Sequence, residues 1–178
     1  MLGGKGSVIM MRYQEGSAST MNREKGFVDA LKKAPGVKLI SDNQYGGATT
    51  ETAQKCAENP IASFSNTDGT LKADAVFCPN ESTTFGMLRA LQDNKLAGKV
   101  KFVGLDSSEK LVEALAAGQI NGLVIQNPYK MGYEGVKTLF KSIKGEKVEK
   151  KIDTGATLAN KQNMDSEEVK KLLNPKKL

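Results

Sequence analysis

The chain has 178 residues, of which 39% are hydrophobic, and a formal net charge of +6. A chain of this length buries about two-thirds of its unfolded surface, so its core needs no disulfide or metal. No stretch approaches the ~20 apolar residues of a membrane-spanning helix, and the first residues lack the apolar centre of a signal peptide. The chain has no histidine, the commonest general base and metal ligand.

The positive charge does not predict a nucleic-acid partner. Many of the lysines follow residue 143, where acidic residues are interleaved with them, and no stacking aromatics accompany them. We therefore expect a solvated surface. The two cysteines, Cys56 and Cys78, do not form a CxxC pair. We expect buried small hydrophobes, with a disulfide between them as the alternative.

Short apolar runs alternate with stretches of helical period along the chain. The first five strands are predicted at 7–11, 37–40, 73–77, 99–104 and 122–125. The helices between and after them are predicted at 20–33, 49–58, 81–94, 107–117 and 132–144. Asn59-Pro60 is expected to end the second helix, with a polar, insertion-like loop over 62–70. Beyond Gly145 we predict a strand near 157–159 and a helix over 165–173.

Five successive strand–helix units predict an α/β fold with a mostly parallel sheet of five or six strands and helices on both faces. The pattern contains no repeat and no linker, so residues 1–178 are expected to form a single domain. In such a sheet, ligands bind outside the carboxyl ends of the strands. The residues that follow the strands, or lie early in the first helix, are Arg23, Tyr45, Asn80, Asp106 and Gln126.

Each of these five residues alone has a structural explanation. Asn80 and Asp106 are typical helix caps or turn residues, Tyr45 could cover the core, and Gln126 could form a turn. Together at one edge, they suit a small polyhydroxyl ligand. Asp accepts from hydroxyls, Arg donates, Asn and Gln do both, and an aromatic ring covers the C–H face of a sugar. No activated nucleophile or metal cluster accompanies them, so the prediction is binding rather than catalysis, without a cofactor.

Two glycine-rich segments are candidate phosphate sites. Gly3-Gly4-Lys5-Gly6 precedes a strand, whereas a dinucleotide fingerprint follows one. The segment 15–19 lies correctly, between a strand and a helix, but it lacks the Walker lysine, and Glu15 would repel an anion. A flavodoxin-like flavin- or phosphate-binding domain stays open as an alternative. Its flavin form would purify as a yellow protein.

Five motifs follow one another along nearly the whole chain. They are Gly16-Ser17-Ala18-Ser19 with Arg23-Glu24-Lys25-Gly26-Phe27, residues 73–81 continuing through 86–91, Val103-Gly104-Leu105-Asp106, Gln126-Asn127-Pro128 leading to Gly132, and Lys144-Gly145-Glu146-Lys147-Val148. In order and spacing, these motifs resemble the C-terminal lobe of ribose-type (type I) periplasmic sugar-binding proteins of ABC importers.

The resemblance implies a flavodoxin-like lobe in which Arg23, Asn80, Asp106 and Gln126 contact a pentose or hexose. It implies an aromatic stacking role for Tyr45, although Gly46-Gly47 departs from the family's usual sequence there. It also implies the substrate-binding component of an ABC importer, periplasmic or extracytoplasmic, with a permease as partner. A sensor lobe of a chemoreceptor or two-component system is an alternative, as is a lac-repressor-like effector domain, although no helix-turn-helix precedes it.

Proteins of this kind close two lobes on the ligand, and the resemblance covers only the second. Binding by one lobe is therefore expected to be weak. Residues 127–150 are expected to pack on the N-terminal lobe in a full-length protein. In this chain the apolar stripe within 132–144 and its flank (Met131, Val136, Leu139 and Phe140) is expected to fold against its own lobe or to mediate self-association through 127–145.

Overall fold

The computed structural model describes residues 1–174, within which strands and helices alternate. The strands are β1 (Gly6–Arg12), β2 (Val37–Tyr45), β3 (Ala75–Phe77), β4 (Lys101–Leu105), β5 (Gly122–Gln126) and β6 (Ala156–Ala159). The helices are α1 (Ala18–Leu31), α2 (Thr50–Phe64), α3 (Glu81–Asp93), α4 (Glu109–Ala116), α5 (Pro128–Ile143) and α6 (Glu167–Leu173).

The strands form one six-stranded sheet in the order β2-β1-β3-β4-β5-β6. The first five are parallel, and β6 runs antiparallel to β5. The predicted fold class is therefore confirmed. The chain moves from β1 to one edge and then returns past β1 to β3, so the topological switch point lies between β1 and β3. At a switch point of this kind, a crevice forms outside the carboxyl ends of the strands, and open α/β sheets bind their ligands there.

Side chains that alternate along each strand build a core on both faces of the sheet. The larger cluster joins strand residues such as Ile9 and Phe102 to buried residues of α2, α3, α4 and α6. The smaller cluster lies on the opposite face, where α1 packs on Met10, Phe77 and Leu105. There the rings of Phe27 and Phe77 stack with centroids 4.2 Å apart. This second face has much less buried apolar surface than the first.

Helix α3 is held close to α2 because Gly86 has no side chain. A Cβ atom at Gly86 would lie 2.5 Å from the Cβ of Ala53 and 2.7 Å from the backbone nitrogen of Gln54. Seven of the thirteen residues of α3 are buried. This close packing fixes the N-terminus of α3 at the edge of the sheet, directly after β3.

Three predicted boundaries were wrong by four residues or more. Strand β2 does not end at residue 40 but continues to Tyr45, which therefore lies in the strand rather than after it. Helix α2 does not end at Asn59-Pro60 but continues through Pro60 to Phe64, so part of the predicted loop over 62–70 is helical. Proline inside a helix costs about 3 kcal/mol, but Ile61 is buried and Phe64 packs against the core, which offsets that cost. Helix α5 begins at Pro128 rather than at 132, because the Asn127 side chain caps it by accepting from the Lys130 N–H.

Cys56 and Cys78 are free thiols and do not form a disulfide. Cys78 is buried, as expected, whereas Cys56 is only half-buried. None of the described helices is long and apolar enough to cross a membrane.

Candidate functional site

The structure places the predicted site residues at the carboxyl edge of the sheet. Tyr45 ends β2, Gln126 ends β5, Asp106 follows β4, and Asn80 is the N-cap residue of α3. Arg23 lies on the second turn of α1. Arg23, Asn80, Asp106 and Gln126 are half-buried, whereas Tyr45 is exposed. We refer to these four half-buried residues as the rim.

Asp106 is the centre of the rim. Its Oδ2 accepts a hydrogen bond from the Glu81 N–H at 3.1 Å, and its Oδ1 accepts one from the Gln126 Nε2 at 3.1 Å. The carboxylate thus joins the start of α3 to the carboxyl end of β5, and it faces the positive N-terminal end of α3. The backbone of Asp106 has a φ of +71°, a left-handed conformation that Asp adopts more readily than most residues.

Arg23 and Asn80 extend the rim toward β1. The Arg23 Nη1 donates to the Pro79 carbonyl at 2.9 Å, which holds the guanidinium beside Asn80. The Asn80 Nδ2 donates to the Ser82 hydroxyl at 3.0 Å, and its Oδ1 accepts from the Thr83 hydroxyl at 2.6 Å. Arg23 and Asp106 thus bind the two peptide groups that flank Asn80, and Asp106 also binds Gln126.

Tyr45 stands apart from this network. Its side chain is 44% exposed, and its ring faces the Arg12 guanidinium, 5.9 Å from the ring centroid. Within residues 1–174, no hydrogen bond joins Tyr45 to the other four. The connection is indirect, through the following loop, because the Ser82 hydroxyl donates to the Gly47 carbonyl at 3.3 Å. Tyr45 therefore shares the edge of the sheet without joining the hydrogen bonds of the rim.

The sequence analysis missed Arg12 and its two carboxylate partners. The Arg12 guanidinium pairs with Glu24 and with Asp42, each at 2.8 Å, and the Glu24 carboxylate also accepts from the Tyr13 N–H. Burial lowers the pKa of Arg12, but hydrogen bonds to the two carboxylates outweigh it and raise that pKa overall. Arg12 ends β1, so the strand-end rule applies to it as well. The predicted strand stopped one residue too early to include it.

A second missed element is the chain between α5 and β6. Residues 151–156 line a groove of about 470 Å³ with Arg23, Leu105, Val124 and Gln126. The groove continues from the rim over the thinly covered face of the sheet. Lys151 and Asp153 form a polar wall of this groove next to the rim. The sequence did not predict this wall, because residues 151–156 have no clear periodicity.

The rim offers both donors and acceptors in a small space. Arg23 and Asn80 present N–H groups, whereas Asp106 presents carboxylate oxygens. Among residues 1–174, no three His, Cys, Asp or Glu side chains lie together as a metal-binding group. An open α/β lobe with a polar, hydrogen-bonded rim at its switch point is the architecture of one half of a hinged binding protein.

Comparison with known proteins confirms this class. Residues 1–147 match the family model described as the periplasmic binding protein domain. The chain belongs to this family. The ribose import binding protein RbsB of Haemophilus influenzae is 32% identical over 85% of this chain and 48% of its own length. The D-allose-binding periplasmic protein of Escherichia coli is 29% identical over 80% of this chain and 44% of its own length.

Solved structures agree in fold. A carbohydrate transporter solute binding protein of Agrobacterium radiobacter, in complex with D-arabinose, superposes with a TM-score of 0.86 at 37% identity, covering 96% of this chain and 56% of that one. A solute binding protein of Agrobacterium vitis with bound D-fucose gives a TM-score of 0.86 at 34% identity, covering 97% and 57%. The chain spans about half the length of the relatives that it matches, the share expected of one lobe.

Proposed function

We propose that this chain is the C-terminal lobe of a two-lobe sugar-binding protein and that its rim binds a small sugar without reacting with it. The observation that supports this most is the set of hydrogen bonds that links Arg23, Asp106 and Gln126 through the backbone on either side of Asn80. Each of these side chains is already held by the protein yet stays half-exposed at the edge of the sheet. Such preorganised polar groups recognise a ligand at a smaller entropic cost.

The chemistry of the rim fits neighbouring hydroxyl groups. A sugar hydroxyl donates one hydrogen bond and accepts others, so it needs acceptors and donors side by side. The Asp106 carboxylate supplies charged acceptors, which form stronger hydrogen bonds than neutral ones. Arg23 supplies donors on a fixed planar group. Tyr45 lies at the same edge and would stack on the C–H face of the ring.

Two features favour binding over catalysis. The chain has no histidine, and the rim carboxylate of Asp106 is engaged by two donors rather than paired with a second carboxylate. The relatives named above are binding and transport proteins. Because these relatives are described as periplasmic or as import binding proteins, we also propose an extracytoplasmic location and an ABC permease as the partner of the complete protein.

The test is an NMR titration of the ¹⁵N-labelled chain with D-arabinose, D-fucose, D-allose and D-ribose. A complete cleft buries most of its ligand, so one wall alone is expected to bind with a Kd of about 1 mM or weaker. At least one sugar should shift the signals of Asn80, Asp106 and Gln126 in a saturable manner. No saturable shift with any of the four sugars would contradict the proposal.

The matched variants for this titration are Asp106→Asn and Asp165→Asn. The first keeps the size and the left-handed backbone conformation but removes the charge from the rim, so saturable binding should be lost. The second removes a charge from an exposed aspartate outside the rim and should leave binding unchanged. Equal effects of the two substitutions would show that the shifts come from general electrostatics.

We also propose that α5 packs on the N-terminal lobe of the complete protein, and that in this chain alone it mediates self-association. None of the sixteen residues of α5 is buried, so the expectation that it folds against its own lobe was wrong. Its apolar stripe consists of Tyr129, Tyr133, Val136, Leu139, Phe140 and Ile143, each at least 57% exposed. Met131, placed with the stripe by sequence, instead lines a depression against residues 149–154.

Sedimentation velocity over a range of concentrations tests this surface. Aromatic side chains bury about 150–250 Å² each, so a stripe with three of them can support an interface. The mass of the isolated chain should rise with concentration, and Val136→Glu should abolish the rise. Ser142→Glu, which adds the same charge at an exposed position of the helix outside the stripe, should not. A monomer at all concentrations would rule out self-association.

A further inference from the structure

Two buried threonines lie beneath the rim, in the first turn of α3. Thr83 and Thr84 are both 0% exposed, although the residues around them are mostly apolar. A buried hydroxyl without a partner is costly, so the partners of these two hydroxyls reveal what they hold in place.

The Thr84 hydroxyl forms hydrogen bonds with two backbone groups near the rim. Its hydroxyl donates to the Asn80 carbonyl at 2.7 Å and accepts from the Leu105 N–H at 3.0 Å. The Thr84 N–H also donates to the Asn80 carbonyl, at 2.9 Å. That carbonyl therefore already has two donors, one for each lone pair.

Thr83 is left to hold the side chain of Asn80. Its hydroxyl lies 2.6 Å from the Asn80 Oδ1 and 3.1 Å from the Asn80 carbonyl. The Thr83 hydroxyl has one proton to donate, and the Asn80 carbonyl already has two donors. The Thr83 hydroxyl therefore donates its hydrogen bond to the Asn80 Oδ1. The Asn80 NH2 group then faces the other way. One of its N–H groups donates to the Ser82 hydroxyl, which in turn donates a hydrogen bond to the Gly47 carbonyl.

We propose that Thr83 is a positioning residue that fixes the Asn80 amide with its oxygen inward, so that the rim presents one N–H donor at this point. The ligand must therefore place an acceptor oxygen opposite Asn80. This inference rests on the proposed sugar site for its ligand, but the orientation of the amide can be tested without any sugar. An unrestrained Asn would rotate and accept or donate equally well.

The first arm of the test is the side-chain NH2 signal of Asn80 in the ligand-free, ¹⁵N-labelled chain. Thr83→Val removes the hydroxyl at nearly constant volume, and the two amide protons should move toward the shifts of a free, exposed Asn. Thr83→Ser should keep the wild-type signal. Thr20→Val is the control, because Thr20 is a buried helix-start threonine whose hydroxyl donates only to the Ser17 carbonyl.

The second arm measures binding of D-arabinose and its monodeoxy analogues. Thr83→Val should weaken D-arabinose binding by about 5–10-fold, the effect of one neutral hydrogen bond. It should also reduce the preference for D-arabinose over the analogue that lacks the oxygen facing Asn80. Thr83→Ser should restore both. Thr83→Ala removes the same hydroxyl and replaces the valine variant if that variant does not fold.

The outcomes separate the two proposals. An unchanged Asn80 signal in Thr83→Val overturns the positioning role, whatever the sugars do. A changed signal with unchanged affinity and selectivity for D-arabinose overturns the role in specificity. The expected amide signals in a chain that binds none of the sugars support the positioning role and contradict the proposed function alone.

Discussion

Helices α3 and α5 are similar in length and both amphipathic, yet they have opposite environments. Helix α3 buries seven of its thirteen residues against the sheet and α2. Helix α5 buries none of its sixteen, and Ile143 and Val136 are 74% and 70% exposed. Helix α3 is therefore part of the hydrophobic core of the lobe, whereas α5 lies outside that core. The apolar stripe of α5 is therefore not part of this core, as the proposal that it packs on another lobe requires.

The two helices are also stabilised differently. Helix α3 gains its stability from tertiary contacts, including the close approach at Gly86. Helix α5 depends on local interactions: the Asn127 cap, Pro128 in its first turn, and the Lys137–Glu134 ion pair at 3.4 Å. An exposed ion pair of this kind contributes at most about 0.5 kcal/mol. We expect mutations in the two helices to differ accordingly.

The largest difference should appear when the same side chain is truncated in each helix. Leu91→Ala removes a fully buried side chain of α3 and should destabilise the lobe by about 2–5 kcal/mol. Leu139→Ala, at a position that is 61% exposed in α5, should change stability by less than about 0.5 kcal/mol. Urea unfolding of dilute protein measures both. Equal losses would mean that α5 is part of the same cooperative core.

A glycine in each helix provides a second matched pair. Gly86→Ala should destabilise the lobe by about 1–3 kcal/mol, because the added Cβ meets Ala53 and the backbone of α2. In α5 an added Cβ at Gly135 meets nothing within 4 Å. Gly135→Ala should therefore stabilise that helix by about 0.5–1 kcal/mol through reduced backbone entropy. Thermal unfolding followed by circular dichroism distinguishes the two, and a stabilising Gly86→Ala would contradict the observed packing.

The buried hydroxyl of Thr84 gives a third contrast. Thr84→Val leaves the buried Leu105 N–H without its acceptor and should cost about 1–3 kcal/mol. Thr138→Val in α5, at a half-exposed position, should stay within about 0.5 kcal/mol. Denaturant titration measures both variants. A neutral Thr84→Val would show that water or another group replaces the lost hydroxyl.

The smallest effect should come from the helix caps. Asn127→Ala removes the cap of α5, worth about 0.5–2 kcal/mol, and should speed hydrogen exchange within α5 while leaving the sheet unchanged. Thr49→Ala removes the cap of α2, where the Thr49 hydroxyl accepts from the Thr52 N–H at 3.2 Å. That loss should lower global stability, because α2 unfolds with the core. Hydrogen exchange by mass spectrometry separates local from global effects.

The sequence predicted the sheet and most of the rim for a simple physical reason. Strand periodicity locates each strand, and the carboxyl ends of parallel strands share one edge, so Asn80, Asp106 and Gln126 had to lie near one another. The extension of α2 past Pro60 was not predictable, because burial of Ile61 overrides a local signal. The roles of Thr83 and Thr84 depend on side-chain geometry between two elements, which no local pattern encodes.

The left-handed backbone at Asp106 limits how this site can be redesigned. A φ of +71° is readily adopted only by Gly, Asn and Asp, whereas β-branched or bulky residues would strain the turn. The central position of the proposed sugar site thus tolerates about three residue types. An engineer who wants a different sugar specificity would keep position 106 and randomise Arg23, Gln126 and Tyr45, whose backbones impose no such limit.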